Sequence, residues 1–194
     1  MILERIQEDI YTIYKHRVDR LNHVYGVKNI ALKLGKIYGV DLEKIRIVAL
    51  LHDLTKYESE AFHEKWIRNY YDESIIQDYS APLYHGFSAA AVAKEVYHVN
   101  DEDCLRAIES HTVGRPKMSL LEKIIFISDY IEPNRMYPSC VKAREIAFNN
   151  IDLAIYEAIN DSITLYESTG GFIPKIAYKA RDYYKIKGGL HEQD

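Results

Sequence analysis

The stretch Asp41-Leu42-Glu43-Lys44-Ile45-Arg46-Ile47-Val48-Ala49-Leu50-Leu51-His52-Asp53-Leu54 decides how this chain folds. Asp41 has a short acidic side chain of the kind that satisfies the free N–H groups at a helix start. From Leu42 onward, Ile45, Ile47, Val48, Ala49, Leu50, Leu51 and Leu54 put apolar groups around nearly the whole circumference, the pattern of a helix covered on all sides. Such a helix belongs at the centre of the molecule with others packed around it. It nevertheless ends in His52-Asp53, so the stretch that predicts a central helix also predicts a polar site at its end.

Outward from this stretch the helical period continues almost throughout. Ile2, Ile6, Ile10 and Ile13/Tyr14 recur every three or four positions, and Val24, Val27, Ile30/Ala31, Leu34 and Ile37/Tyr38 do so up to Gly39, with His23 on the same stripe. Residues 60–71 read as a surface helix, followed by a looser segment to Ala81-Pro82. Further helices are expected over 86–99, 101–110, 119–131, 141–148, 152–166 and 174–186. Thr112-Val113-Gly114-Arg115-Pro116, Pro133, Gly170-Gly171 and Gly188-Gly189 supply the breaks. No alternating strand pattern, internal repeat or low-complexity segment interrupts this reading. The expectation is an all-α, single-domain helical bundle over 1–194, with a motif core at about 20–135 and a helical C-terminal extension at 140–187.

Composition agrees. A chain of 194 residues with 47% hydrophobic and 28% charged residues can bury one substantial core, which excludes disordered, collagen-like and coiled-coil classes. No run approaches the roughly 18 apolar residues of a membrane span. Met1-Ile2-Leu3-Glu4-Arg5 carries charge at once and offers no apolar signal region, so a cytoplasmic protein without membrane attachment is expected. A net charge of −4 without a long basic run gives no nucleic-acid groove. The 17 tyrosines are explained by compositional bias at least as well as by base stacking. Cys104 and Cys140 lie far apart without a Cys-x-x-Cys pattern and are expected as ordinary buried thiols.

His23, His52, Asp53 and Asp129 all interrupt helices made for burial, where an unpaired polar or ionised group costs several kcal/mol or more. A backbone partner is the commoner solution for any one such residue. A metal ion is the solution that fits the group, because neutral imidazoles and carboxylates are nitrogen and oxygen donors. One His-Asp dipeptide is weak as a signal, since roughly one chain in two of this composition contains it by chance. Position adds information: adjacent helical side chains diverge by about 100°, so both reach one ion only at a helix end facing a cavity. His85 and His111 also fall at or near helix ends, making four His and two Asp, enough for two ions bridged by one carboxylate.

The order His … His-Asp … Asp resembles the HD-domain metal-dependent phosphohydrolase superfamily. The motifs Arg20-Leu21-Asn22-His23, Leu50-Leu51-His52-Asp53-x-x-Lys56, Leu83-x-His85-Gly86, His111-Thr112-x-Gly114 with Met118, and Asp129-Tyr130-Ile131-Glu132-Pro133-x-Arg135 look like the YqeK family, the symmetrical bis(5′-nucleosyl)-tetraphosphatases. The resemblance implies an HD-type bundle in which His23, His52, Asp53 and Asp129 hold one metal, and His85 and His111 hold a second with Asp53 bridging. It also implies diadenosine tetraphosphate as substrate, cut at its central anhydride into two ADP by a hydroxide shared between the metals. Six mixed nitrogen and oxygen ligands favour iron, with manganese or another divalent metal as the alternative.

The chain departs from the family's usual wording at Leu54-Thr55, where an aromatic and a small residue are common. It departs again at Gly26, where a basic residue often follows the first His and could anchor the substrate's phosphates.

Around these candidate ligands several residues carry two readings. Lys56, three positions after Asp53, is placed beside Asp53 as a catalytic and phosphate-binding residue, and reads equally as a solvated lysine. Arg135 offers a planar fork to a phosphate or a helix-end ion pair. Thr112 and Gly114 shape a turn beside His111 for close approach of a ligand, or Gly114 simply stops a helix. Arg115 and Lys117 add positive charge there or belong to a solvated loop, and Glu132 orients a metal ligand or serves as a structural cap. His16, His63, His98 and His191 stand outside the motifs. Two other activities compete: a nucleotidase or deoxynucleotide phosphohydrolase of the same superfamily, and a metal-stabilised nucleotide-binding protein without turnover. A homodimer is left open.

Overall fold

Asp41 caps the central helix as its sequence requires: its carboxylate accepts from the Glu43 and Lys44 N–H groups, and helix α3 runs from Leu42 to Leu51. In the computed structural model, which describes residues 2–189, Ile45, Val48, Ala49, Leu50 and Leu51 of α3 are fully buried. Two helices precede it, α1 (Ile2–Tyr14) and α2 (Val18–Tyr38). Gly39 ends α2 in the left-handed conformation at φ 73°, with its N–H on Gly35 O, a turn that needs a residue without a Cβ.

After α3 come α4 (Glu60–Tyr70), the short α5 (Ser74–Asp78), a single 3-10 turn (Ala81–Leu83), α6 (Tyr84–Tyr97), α7 (Glu102–Ser110) and α8 (Leu120–Ile131). The chain closes with α9 (Pro138–Ala147), α10 (Ile151–Thr169) and α11 (Lys175–Lys187). No strand occurs among the described residues. Helix α3 is surrounded by α1, α2, α6, α7 and α8, while α10 packs on α8 and is flanked by α9 and α11. The single all-α bundle is therefore as expected, and among the described residues no helix is long and apolar enough to cross a membrane.

Three details differ from the periodicity reading. Helix α4 is not wholly a surface helix: His63 and Ile67, one turn apart, are buried, and Ile67 forms a small second cluster with Tyr84 and Phe87. The loose segment after it contains α5. On α1 it is Tyr14 rather than Ile13 that faces inward, where its hydroxyl donates to the Asp53 carbonyl at 2.7 Å and ties α1 to the end of α3. Cys104 and Cys140 are both free and buried, and burial pushes the Cys104 thiol up to about 12. His191 lies outside the described residues.

Candidate metal centre

Helix α3 stops at Leu51, and His52 and Asp53 sit in the tight turns that follow, with both side chains inside the bundle. Asp53 is the hub. Its Oδ2 lies 3.4 Å from His23 Nε2 on α2 and 3.4 Å from His52 Nε2. Its Oδ1 lies 3.1 Å from His85 Nε2 on α6 and 3.5 Å from His111 Nε2 at the end of α7. Asp129 on α8 stands on the first side, with Oδ1 3.1 Å from His23 Nε2. Six residues spread over more than a hundred positions thus converge on one point, and the two oxygens of one carboxylate divide the four imidazoles into pairs.

The outer nitrogens decide what the inner ones can do. His52, His85 and His111 each place Nδ1 within 2.6–2.9 Å of the carbonyl three residues earlier, Ala49, Pro82 and Ile108 respectively. A carbonyl oxygen accepts only from N–H, so in the neutral ring Nδ1 carries the proton and Nε2 keeps its lone pair toward Asp53. His23 Nδ1 faces Glu132 Oε1 at 3.5 Å in the same sense. Burial, stronger than the pull of Asp53, lowers the pKa of His52 and takes His85 down to about 4, which keeps both rings neutral and available as donors. Burial alone would raise the two carboxyls; the electrostatic pull and hydrogen-bond contacts of the surrounding histidines, His52 first, hold Asp53 well below the usual range, and Arg135 with His23 does the same for Asp129. Against its own burial, the two carboxylates lift His23 to about 9. Two anions with so strong a demand for positive charge, beside the unpartnered Nε2 of the neutral His52, suit a cation better than any arrangement of protons. The buried His23 Nε2 and His52 Nε2 have no aligned hydrogen-bond partner, and His23, His52 and Asp129 offer ligand atoms all within 4.8 Å of one another, as do His52, Asp53 and His111. The residues present fit a metal.

Three cations ring the centre. Lys56 Nζ points inward, 3.1 Å from His85 Nε2 and 3.9 Å from Asp53 Oδ1. Arg135 donates to Asp129 Oδ1 at 3.0 Å. The third, Arg20, donates to Asp53 Oδ2 at 2.5 Å and had no role assigned from sequence; its position three residues before His23, on the same helix face, is the signal that could have marked it. Arg144, also missed, clamps the connection after α8 by donating to the carbonyls of Ile131, Glu132 and Arg135. Thr112 lines a cleft beside His111, whereas Gly114 is buried at φ 73° against Phe126 and does not line it. Arg115 is committed elsewhere, to the buried carboxylate of Glu122.

Both departures from the family wording acquire a physical reason. A Cβ on Gly26 would meet Glu132 Oε2 at 2.7 Å, so the glycine makes room for the carboxylate that faces His23. The Thr55 hydroxyl donates to His85 O at 3.1 Å and lies 2.7 Å from Ser88 Oγ, which in turn sits 2.8 Å from His63 Nδ1. This buried chain fixes the start of α6 where it carries His85. Thr55→Val is therefore expected to cost about 1–2 kcal/mol in urea unfolding, because it strands buried acceptors. It should also weaken metal affinity by roughly tenfold through the misplaced His85, read by competitive chelation; an unchanged affinity would remove Thr55 from the positioning role.

Nitrogen and oxygen donors gathered at the end of a central helix, with basic side chains around them, define a divalent-metal centre of a hydrolase on an all-α scaffold. The HD domain pattern matches residues 20–134. The chain is 40% identical over 145 residues to the symmetrical bis(5′-nucleosyl)-tetraphosphatase of Halalkalibacterium halodurans, covering 75% of this chain and 78% of that protein. It is 37% identical over 160 residues to the protein of the same name from Staphylococcus aureus, covering 77% and 82%. A crystal structure from Clostridium acetobutylicum, of a protein described as a predicted HD superfamily hydrolase involved in NAD metabolism, matches with a TM-score of 0.87 at 34% identity over 95% of this chain and 97% of that one. The chain belongs to the HD domain family and, within it, to the group of symmetrical bis(5′-nucleosyl)-tetraphosphatases.

Proposed function

We propose that this chain hydrolyses diadenosine tetraphosphate at the middle of its phosphate chain, giving two ADP, with two divalent metal ions at the centre. The observation that carries the reading is the division of labour at Asp53: Oδ2 with His23 and His52, joined by Asp129, and Oδ1 with His85 and His111. One bridging carboxylate with separate donors on each side suits two ions, and the mixed donor set suits iron, ahead of manganese or another divalent metal. Bound there, the ions supply Lewis acidity at phosphoryl oxygens and an activated water for in-line attack.

The chain's own residues account for where the cut falls. All phosphoanhydrides of the substrate are of similar reactivity, so position is set by which phosphorus is held at the centre. Arg20 at Asp53 Oδ2 and Arg135 at Asp129 on one side, and Lys56 near Asp53 Oδ1 on the other, bracket it with positive charge and hold the flanking phosphates, while Thr112 lines the wall beside His111. Asp53 and Lys56 are the residues assigned to the reaction itself. All six candidate ligands come from one chain, so a homodimer would leave each centre complete. Nucleic acid has no part in this reading, which places the enzyme in the cytoplasm with its nucleotide substrate.

Product chromatography after reaction in oxygen-18 water tests the proposal. ADP should be the only nucleotide product, with one labelled oxygen entering per cleavage. A mixture of AMP and ATP would reject symmetrical cutting, and absence of turnover with every loaded metal would reject the activity.

A further inference from the structure

The cleft that opens from His111 and Asp129 does not end at Arg135. The same cavity, about 830 Å3 in all, continues between α8, the start of α9, α10 and the α10–α11 connection, where its walls become largely apolar. This size is that of a small-molecule site rather than a surface dimple. Tyr137, Tyr166 and Phe172 stand around this outer part with 71%, 49% and 51% of their surface open to water. Three aromatic rings left exposed around one opening are costly unless something flat and apolar covers them. Among these walls sits one carboxylate, Asp161, whose Oδ2 accepts from the Tyr130 hydroxyl at 2.5 Å, which leaves Oδ1 as an acceptor.

We infer that this outer cleft is the seat of one nucleoside of the substrate, with Tyr137 and Phe172 holding the base by its faces and Asp161 reading an exocyclic amino group on its edge. The inference rests on the phosphate-binding reading of the metal centre and extends it to base recognition. The occupant follows from continuity. Whatever fills the outer cleft shares one cavity with two candidate metal ligands and the Arg135 guanidinium, so it carries phosphate at one end and a flat, mostly apolar body at the other. A base stacks on exposed rings through either face, and an apolar pocket with one well-placed polar group orients it. Asp161 Oδ1 has no proton to give, so it prefers a base that donates, such as adenine through its 6-amino group, over a purine lacking that group.

Calorimetric titration of the metal-loaded protein with ADP, purine riboside 5′-diphosphate and inorganic pyrophosphate tests the inference. ADP should bind the wild-type protein at least tenfold more tightly than either of the others. Tyr137→Ala and Phe172→Ala should each weaken ADP about tenfold and leave pyrophosphate unchanged. In Asp161→Asn the Tyr130 hydroxyl still claims the carbonyl oxygen, turning an amide N–H toward the base amine, so the preference for ADP over purine riboside diphosphate should vanish or reverse. Pyrophosphate binding as tightly as ADP would overturn the nucleoside cleft alone. So would aromatic variants that weaken both ligands equally or neither, or an Asp161→Asn protein with its preference intact. Failure of both ADP and pyrophosphate to bind would overturn the phosphate-binding reading together with it.

Discussion

Asp53→Ala is expected to abolish turnover by roughly a thousandfold or more and to strip the protein of most of its metal, measured as initial rate on diadenosine tetraphosphate and as metal content per chain. The magnitude follows from chemistry worth several kcal/mol at a metal-assisted phosphoryl centre, where each 1.36 kcal/mol is a factor of ten. The selectivity follows from geometry: both oxygens of Asp53 are engaged, each toward a different pair of histidines, so removal of one side chain empties two positions at once. His85→Ala touches only the Oδ1 side and should lose one ion while the other persists. The two variants separate a bridged pair from a single site surrounded by spare ligands. An Asp53→Ala protein with unchanged metal and rate, or a His85→Ala protein that loses all metal in step with Asp53→Ala, would contradict the bridging assignment. Lys56→Ala provides the contrast, since it should raise KM and keep the metal.

Arg115→Ala should be the most destabilising single change away from the centre, costing about 3 kcal/mol in urea unfolding. Glu122 has no exposed surface, and its carboxylate accepts from Arg115 Nε at 2.7 Å, a second Arg115 nitrogen at 2.6 Å, Ser110 Oγ at 3.1 Å and Ser119 N at 2.7 Å. The last of these closes a capping box at the start of α8. Removing the arginine leaves a buried carboxylate without its counter-charge, a loss of about 3–5 kcal/mol for fully buried pairs and toward the lower figure here, where Arg115 is partly open to water. The double variant Arg115→Met, Glu122→Gln should recover most of the loss, because no charge is then left stranded. A loss below about 1 kcal/mol in the single variant would show that water reaches Glu122. Because Ser110 precedes His111 directly, the single variant should also loosen the Oδ1 side of the centre.

The helices were legible in the sequence because their signal is local. The run from Asp41 to Leu54 contains its own cap, its own apolar circumference and its own polar end, and α3 follows it almost residue for residue. The six candidate ligands were legible for a related reason, since a His or Asp among residues built for burial stands out in one dimension. Helix α4 was misjudged because only His63 and Ile67 face inward, too thin a stripe to separate from a surface pattern. Arg115 looked like any loop arginine until Glu122, seven residues on, was seen to be buried beneath it.

The sequence by itself determined that this protein is a bundle of helices with four histidines and two aspartates set among residues built for burial, and through its motifs which family it joins. Only the tertiary structure decided that Asp53 turns one oxygen to each histidine pair, that Arg20 and Lys56 point inward, and that the cleft runs on from Arg135 to Phe172. The physical reason is one of range. Helical period and capping are set by neighbours three or four residues apart, whereas the meeting of lone pairs depends on how α2, α3, α6, α7 and α8 cross. Those crossings are fixed by side chains packed between segments that no local pattern relates.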